Sequence, residues 1–237
     1  LARLKMFRLI LKEDFSQIWE KFKELHPEDV GKLTLKTFKN TYFPDYKSEK
    51  AFLQNKKERQ EVLAKLIEET TKAKGNSFVL VNGVPFGKKL SKLIPNSVFI
   101  HGEDDTKLRK QIYDLYATND DMVVIATFNL ASTGLNIKRI FNLFLIDANK
   151  SFIQVIQSIG RGLRKAEDKD TVRVWDISSD LKYSKSHGLQ RKKYYDEQSY
   201  PYQTISTEYD LELVDDLLLI EDALSIDIDN INETVVY

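Results

Sequence analysis

The sequence predicts an α/β fold in which a parallel β-sheet is covered by helices on both faces. Between residues 77 and 177, short β-rich segments alternate with segments of helical periodicity. Most of the β-rich segments are continuous apolar runs, which is typical of strands buried on both faces of a sheet. Together, these two observations predict repeated strand–helix–strand units.

The five predicted strands are SFVLVNG (77–83), NSVFIHG (96–102), DMVVIAT (121–127), IFNLFLID (140–147) and TVRVWDI (171–177). The helices predicted between them cover 86–94, 105–117, a short turn after residue 127, and 151–165. Ligands of parallel α/β sheets bind beyond the carboxyl ends of the strands. We therefore expect functional residues in the segments that directly follow these strands.

Residues 1–75 are predicted to lead into this domain. They contain a strand over 5–11, a helix over 14–25 and a long helix over 47–74, which GN (75–76) ends. The expected division is therefore an entry region (1–75), the α/β domain (76–202) and a C-terminal tail (203–237).

The charges are unevenly distributed, although 36 basic and 36 acidic side chains balance overall. The tail has ten acidic residues and no Lys or Arg, so residues 1–202 carry 36 basic and 26 acidic side chains. A basic body with an acidic tail fits nucleic-acid binding in which the tail competes with the polyanion. It fits equally well a solvated surface with a disordered terminus, so charge alone leaves both interpretations open.

The composition excludes several kinds of site. The sequence has no cysteine, which excludes disulfides and thiolate metal ligands, and its three histidines are too scattered to form a zinc cluster. No apolar stretch approaches the roughly 20 residues that a membrane span needs. We therefore expect no metal site and no membrane partner.

Taken as a helix, the segment 151–165 has two nearly opposite faces. The apolar face consists of Phe152, Ile156, Ile159 and Leu163, and the polar face of Gln157, Arg161 and Arg164. Glycines at 160 and 162 remove bulk beside the arginines, although each costs about 1 kcal/mol relative to alanine inside a helix. Two guanidinium groups beside an amide can bind phosphate oxygens. Periodicity alone fits either such an anion site or a solvated basic face.

Four segments resemble motifs of the superfamily 2 helicases, in the order in which that family carries them. QSIGRGLR (157–164) has the form QxxGRxxR of motif VI, and ATFNLASTGLNI (126–137) resembles motif V. FVLVNG (78–83) lies where motif IV falls, and FIHGEDDTKLRKQIY (99–113) resembles the segment HGxxxxxxR. The resemblance covers about residues 1–202 and is especially close to the UvsW-type phage helicases. It implies the RecA-like C-terminal domain of such a helicase.

The resemblance also implies a role for each motif residue. Arg161 and Arg164 would be arginine fingers that reach the γ-phosphate of ATP held by a preceding domain. The residues near the nucleotide would be Gln157, Gly134 and Asn136, although the family often has Asp in place of Asn136. The nucleic-acid contacts would be Asn82, Gly83, His101, Gly102, Thr127, Ser132 and Thr133.

Each of these roles has a structural alternative. The hydroxyl groups that follow the strand over 121–127 could cap a helix instead of binding phosphate. Gln157 could be an exposed helix amide, Gly134 and Asn136 a turn pair, and His101 a packed or surface histidine. The segment RKKYYDEQSYPY (191–202) interleaves cations with tyrosines, which fits either base stacking or a structural helix.

The sequence departs from the complete helicase pattern. It contains neither GxxxxGK[ST] nor a DExH or DExD box, and GVPFGKK (83–89) has the wrong spacing. We therefore expect the second RecA-like domain of a longer enzyme, which alone would not hydrolyse ATP. The expected cofactors are ATP and Mg²⁺, held mainly by an N-terminal RecA-like domain. That domain and DNA are the expected partners, with RNA or an RNA–DNA hybrid as alternatives.

The leading hypothesis is the motor domain of an ATP-dependent DNA helicase or translocase that acts on branched DNA or hybrids, as in recombination and repair. The alternatives are a non-catalytic nucleic-acid-binding or regulatory module of the same fold, and an RNA helicase of the same superfamily. The absence of cysteine is typical of a reducing compartment. We therefore expect a cytoplasmic protein, located in the host cytoplasm if it is phage-encoded.

Overall fold

A computed structural model of the protein describes residues 3–132, 137, 139–149, 171–212, 214–217 and 234–236. The strands within these ranges are β1 (Arg3–Leu11), β2 (Ser77–Val81), β3 (Ser97–Ile100), β4 (Val123–Thr127), β5 (Asn142–Ile146), β6 (Thr171–Ser179), β7 (Tyr202–Thr207) and β8 (Thr234–Val236). They form one sheet in the order β3-β4-β2-β5-β6-β1-β7-β8. Every neighbouring pair is parallel, as the sequence predicts.

The helices within the described residues are α1 (Ser16–Leu25), α2 (Leu35–Thr41), α3 (Tyr46–Asn55), α4 (Lys57–Lys74), α5 (Val84–Leu93), α6 (Thr106–Thr118), α7 (Phe128–Ser132) and α8 (Lys182–Glu197). The predicted helices over 14–25, 86–94 and 105–117 and the predicted turn after residue 127 are confirmed. The predicted helix over 151–165 lies outside the described residues. None of the described helices is long and apolar enough to cross a bilayer.

Helices cover both faces of the sheet because side chains alternate along each strand. Phe78 and Leu80 of β2 point into one core cluster, which contains residues of α6, α7 and α8. Val79 and Val81 point into the other, which contains residues of α4 and α5. The central strands are therefore buried on both faces, which explains why they read as continuous apolar runs.

Strand β1 lies inside the sheet, between β6 and β7. Phe7 pairs in register with Trp175 of β6 and with Gln203 of β7. Residues of the predicted entry region and of the predicted tail therefore contribute to the same sheet as the central strands. The physical reason is that β1 also carries apolar side chains on both faces, so it buries most surface in an interior position.

The single helix predicted over 47–74 is wrong, because the structure has two helices that meet at Lys56. This residue is extended, with φ −72° and ψ 114°. Its ammonium group lies 2.7 Å from the carboxylate of Glu13 and 4.6 Å from the ring centre of Tyr209. These tertiary contacts favour the break over the helical propensity of the surrounding residues.

The helices between β1 and α4 have an aromatic core of their own. Phe15 is fully buried and packs edge-on against Phe38 and Phe43. Trp19 of α1 packs against the same cluster and stacks on Phe22 at 5.9 Å. The cluster also includes Leu181, which joins these helices to the end of β6.

Candidate nucleotide and nucleic-acid site

The segments expected to carry function follow neighbouring strands and lie at one edge of the sheet. Val81 of β2 pairs with Thr127 of β4, and Leu80 pairs with Leu145 of β5. Ile100, the last residue of β3, pairs with Ala126. The ends of these four strands are therefore level with one another. All four strands are parallel, so their carboxyl ends meet there.

The loop after β2 is held by side-chain amides. The Nε2 atom of Gln54 donates a hydrogen bond of 2.6 Å to the carbonyl of Asn82. The Nδ2 atom of Asn82 donates in turn to the carbonyl of Asp147, at 2.5 Å. Gly83 has φ 103°, a conformation that favours glycine, and α5 begins at the next residue. The side-chain nitrogen of Asn82, an expected nucleic-acid contact, is thus bonded within the domain.

The loop after β3 is closed by an acidic residue. Asp104 accepts a hydrogen bond of 2.6 Å from the backbone N–H of His101, and its other oxygen lies 3.4 Å from Nε2 of that histidine. His101 is half-buried, and its ring lies 5.6 Å from the ring of Phe99 at an interplanar angle of 31°. Gly102 is exposed, and a Cβ placed there would meet no atom within 4 Å. The backbone at Gly102 is therefore accessible to a ligand.

The hydroxyl groups after β4 make local bonds. Thr127 is buried, and its Oγ1 accepts a long hydrogen bond of 3.4 Å from the N–H of Leu130 at the start of α7. Ser132 is exposed and donates to the carbonyl of Asn129 at 2.7 Å. For Thr127, this geometry matches the capping alternative.

The arginines Arg161 and Arg164, together with Gln157, Thr133, Gly134 and Asn136, lie outside the described residues. The structure does describe the ends of the strands that precede these residues in the sequence. They include Asp147, Ala148 and Asn149, directly after β5.

Asp147 forms a buried ion pair that was not predicted from the sequence. Its Oδ1 lies 2.8 Å from Nη2 of Arg59 on α4, and both side chains are nearly inaccessible to solvent. Burial acts to lower the pKa of Arg59, but the carboxylates of Asp147 and Glu13 outweigh it and raise that pKa. Arg59 therefore stays charged. The only signal in the sequence is an Asp that directly ends an apolar strand.

A second buried pair lies beside the first. Nε of Arg191 on α8 donates to both carboxylate oxygens of Asp176, at 2.9 and 3.0 Å. The hydroxyl of Tyr195 donates to the same carboxylate at 3.0 Å. Arg191 also donates from Nη1 to the carbonyl of Ala148. For Arg191 and Tyr195, the structural interpretation of the segment 191–202 is the one that fits, because both side chains are buried.

Glu49 of α3 connects the aromatic helices to α8. Its two oxygens accept hydrogen bonds from the backbone N–H groups of Tyr183, at 2.9 Å, and Ser184, at 2.7 Å. Burial raises the pKa of Glu49, and these two hydrogen bonds oppose the rise. Glu49 lines a small cavity with Tyr46 and Asp147. Burial raises the pKa of Tyr46 to about 12, so its hydroxyl is protonated at neutral pH.

The described residues contain one group with the spacing of metal ligands, and it lies away from the strand ends. Ligand atoms of His26, Glu28 and Asp29 lie within 4.8 Å of one another in a 3-10 turn. Asp29 is paired with Lys32 at 3.2 Å, and His26 lies 3.5 Å from Glu28. These are local surface contacts, and they do not build a metal site.

Comparison with known proteins finds similarity to helicases. Residues 58–166 match the family model described as the helicase conserved C-terminal domain. The ATP-dependent DNA helicase UvsW of Enterobacteria phage T4 is 29% identical over 153 residues, which are 63% of this chain and 30% of that protein. The chain therefore spans less than a third of the curated relative that it matches.

Solved structures agree on the fold. The crystal structure of T4 UvsW superposes with a TM-score of 0.65 at 22% identity, covering 87% of this chain and 42% of that one. The structure of S. cerevisiae Dbp5 bound to RNA and ADP BeF3 superposes with a TM-score of 0.55 at 16% identity, covering 95% of this chain and 45% of that one. The C-terminal domain of the DEAD-box protein Dbp5 gives 0.50 at 17% identity, covering 94% of this chain and 98% of that domain. The fold is thus the RecA-like fold of helicase C-terminal domains.

Proposed function

We propose that this chain, which carries a helicase conserved C-terminal domain resembling that of phage T4 UvsW, is the second motor domain of an ATP-dependent DNA helicase or translocase. The observation that carries the proposal is the string QSIGRGLR (157–164). It lies within the matched range 58–166 and follows β5 in the sequence. Conserved helicase domains couple ATP hydrolysis to movement on nucleic acid.

In this proposal, Arg161 and Arg164 neutralise the charge that develops on the transferring phosphoryl group. ATP and Mg²⁺ are held mainly by an N-terminal RecA-like domain, and Gln157, Gly134 and Asn136 complete the nucleotide site from this side. Phosphoryl transfer depends on positioning and charge stabilisation, so the chain needs no general base of its own for this task. The second domain supplies only part of the site, and we expect it to have no ATPase activity alone.

The loops after β2, β3 and β4 are proposed to contact the nucleic-acid backbone. Gly83 and Gly102 are exposed and have no side chain to cover their backbone, and Ser132 is exposed after β4, the strand between β3 and β2. Contacts of this kind bind phosphate without reading bases. We propose DNA as the substrate, in branched or hybrid form, because the relative T4 UvsW is named a DNA helicase. RNA is the second candidate, because Dbp5 is bound to RNA in its solved structure.

The decisive experiment is the substitution Arg164→Ala in the protein that contains both RecA-like domains. We expect DNA-stimulated ATPase turnover to fall by roughly 10³-fold or more, the range for lost arginine fingers. Affinity for single-stranded DNA is expected to be unchanged. The control is Lys193→Ala, which removes a cation that is 79% exposed on α8. ATPase activity near the wild-type level in Arg164→Ala would refute the assignment, and unwinding assays on DNA and RNA duplexes decide the substrate.

A further inference from the structure

Two side chains hold successive carbonyl groups at the start of the segment that carries the motif VI arginines. Nδ2 of Asn82 donates to the carbonyl of Asp147, and Nη1 of Arg191 donates to that of Ala148. The backbone N–H of Asp147 donates to the carbonyl of Ile177 in β6, at 2.9 Å. The exit of β5 is therefore bonded to the end of β2, to β6 and to α8.

The backbone at this exit passes through the left-handed region, which aspartate adopts more readily than most residues other than glycine. Asp147 has φ 51°, in the left-handed region, which costs a residue other than glycine on the order of 1 kcal/mol. Its carboxylate is paired with Arg59 at 2.8 Å, so α4 restrains the side chain while Asn82 restrains the carbonyl. Residues held in this region cluster at functional sites.

The donors are themselves immobilised. Arg191 is 1% exposed, and its Nε is bonded to both oxygens of Asp176. Asn82 receives a hydrogen bond from Gln54 on its own carbonyl. A donor with a fixed position transmits that position to its acceptor, whereas a solvated side chain would not.

We propose that Asn82 and Arg191 are positioning residues, which fix the backbone of Asp147 and Ala148 where the chain leaves β5, and that turnover by Arg161 and Arg164 depends on this fixed exit. This inference rests on the proposed function. A displacement of about 1 Å at reacting groups can cost on the order of 10²-fold in rate. Loss of one carbonyl contact would therefore lower turnover without removing any group that touches the nucleotide.

The two roles available to Asn82 have different consequences. A residue that contacts nucleic acid affects the dissociation constant for DNA, and its loss is compensated by saturating DNA. A residue that positions the arginines affects kcat at saturating ATP and DNA, and leaves DNA affinity unchanged. The side-chain nitrogen of Asn82 is already bonded to Asp147, which supports the second role.

The test uses Asn82→Ala, Asn82→Ser and Arg191→Lys in the protein with both RecA-like domains. Asn82→Ser is the milder variant if Asn82→Ala does not fold. Arg191→Lys keeps the positive charge but loses the guanidinium group that bonds to both Asp176 and Ala148. We expect kcat to fall about 10- to 100-fold at saturating DNA, with the Kd for single-stranded DNA within about twofold of wild type. The matched control is Asn55→Ala, an exposed amide that accepts a bond from Lys89.

Hydrogen exchange provides a readout independent of activity. In the same variants, we expect faster exchange of the amides directly after β5, with an unchanged melting temperature for Asn82→Ser. An unchanged kcat, or a raised Kd for DNA with kcat intact, overturns the positioning role. If these results accompany an inactive Arg164→Ala, the inference fails and the proposed function stands. An active Arg164→Ala overturns both.

Discussion

The carboxylate of Glu13 lies 2.7 Å from the ammonium group of Lys56, and its side chain is fully buried while that of Lys56 is 18% exposed. The hydroxyl of Tyr209 donates to the other oxygen of Glu13. Three distant parts of the chain thus meet at one buried carboxylate: the residues after β1, the break between α3 and α4, and the segment after β7.

Removing the cation from this site is expected to destabilise the domain. Lys56→Met leaves the buried carboxylate of Glu13 without its counter-ion, and the free energy of unfolding should fall by about 3 kcal/mol. The double variant Lys56→Met with Glu13→Gln should lose less than the single variant, because it leaves no buried carboxylate without Lys56. Urea unfolding measures the free energies of both variants. The control is Lys193→Met, which removes one partner of an exposed ion pair and should change the free energy of unfolding by less than about 1 kcal/mol. A loss in Lys56→Met no larger than in this control would contradict the prediction.

The tail is expected to contribute to the core as well as to the surface. Val214 and Leu217 are buried in the cluster that contains α4 and α5. Leu217→Ala should therefore lower the free energy of unfolding by about 2–4 kcal/mol, as truncation of a buried leucine does. Leu211→Ala is the matched control, because Leu211 is 44% exposed, and it should change stability by less than about 0.5 kcal/mol. Equal effects of the two substitutions on a denaturation curve would show that the tail does not pack.

Gly87 of α5 is expected to tolerate no side chain. A Cβ at this position would lie 2.1 Å from a carbon of the Phe99 ring, far inside contact distance. We expect Gly87→Ala to lower stability by about 1–3 kcal/mol through overpacking, despite the better helix propensity of alanine. Adding Phe99→Leu should restore part of the loss. Thermal melts of the single and double variants measure the effect. The control is Gly102→Ala, because a Cβ at that position would meet no atom within 4 Å. A Gly87→Ala variant more stable than the wild type would refute the prediction.

Stability should depend on pH through Glu49. Burial raises its pKa in the folded state above the usual value of 4.5, so the folded protein binds this proton more tightly than the unfolded chain does. The favourable contribution is therefore complete below about pH 4.5 and is lost as the pH rises through the folded-state value. Relative to Glu49→Gln, the wild-type free energy of unfolding should decline over that interval. Parallel stability curves for the two proteins would exclude this role of Glu49.

Local sequence patterns were sufficient to predict the central sheet. Strands β2, β4 and β5 are buried on both faces, so burial itself imposes the continuous apolar runs by which they were predicted. The glycines, arginines and hydroxyl residues that follow the strands carried the resemblance to helicases, because those residue types are what phosphate binding requires of a loop. The RecA-like fold and the helicase resemblance are both confirmed.

Contacts between residues distant in sequence decided the rest. The insertion of β1 between β6 and β7, the break at Lys56 and the partner of Asn82 depend on which elements become neighbours in the sheet. Periodicity reports only whether a side chain is buried, and not which group it meets. Arg191 therefore resembles any surface cation in the sequence, and only the folded sheet, which places Asp176 and Ala148 against it, makes it a buried donor.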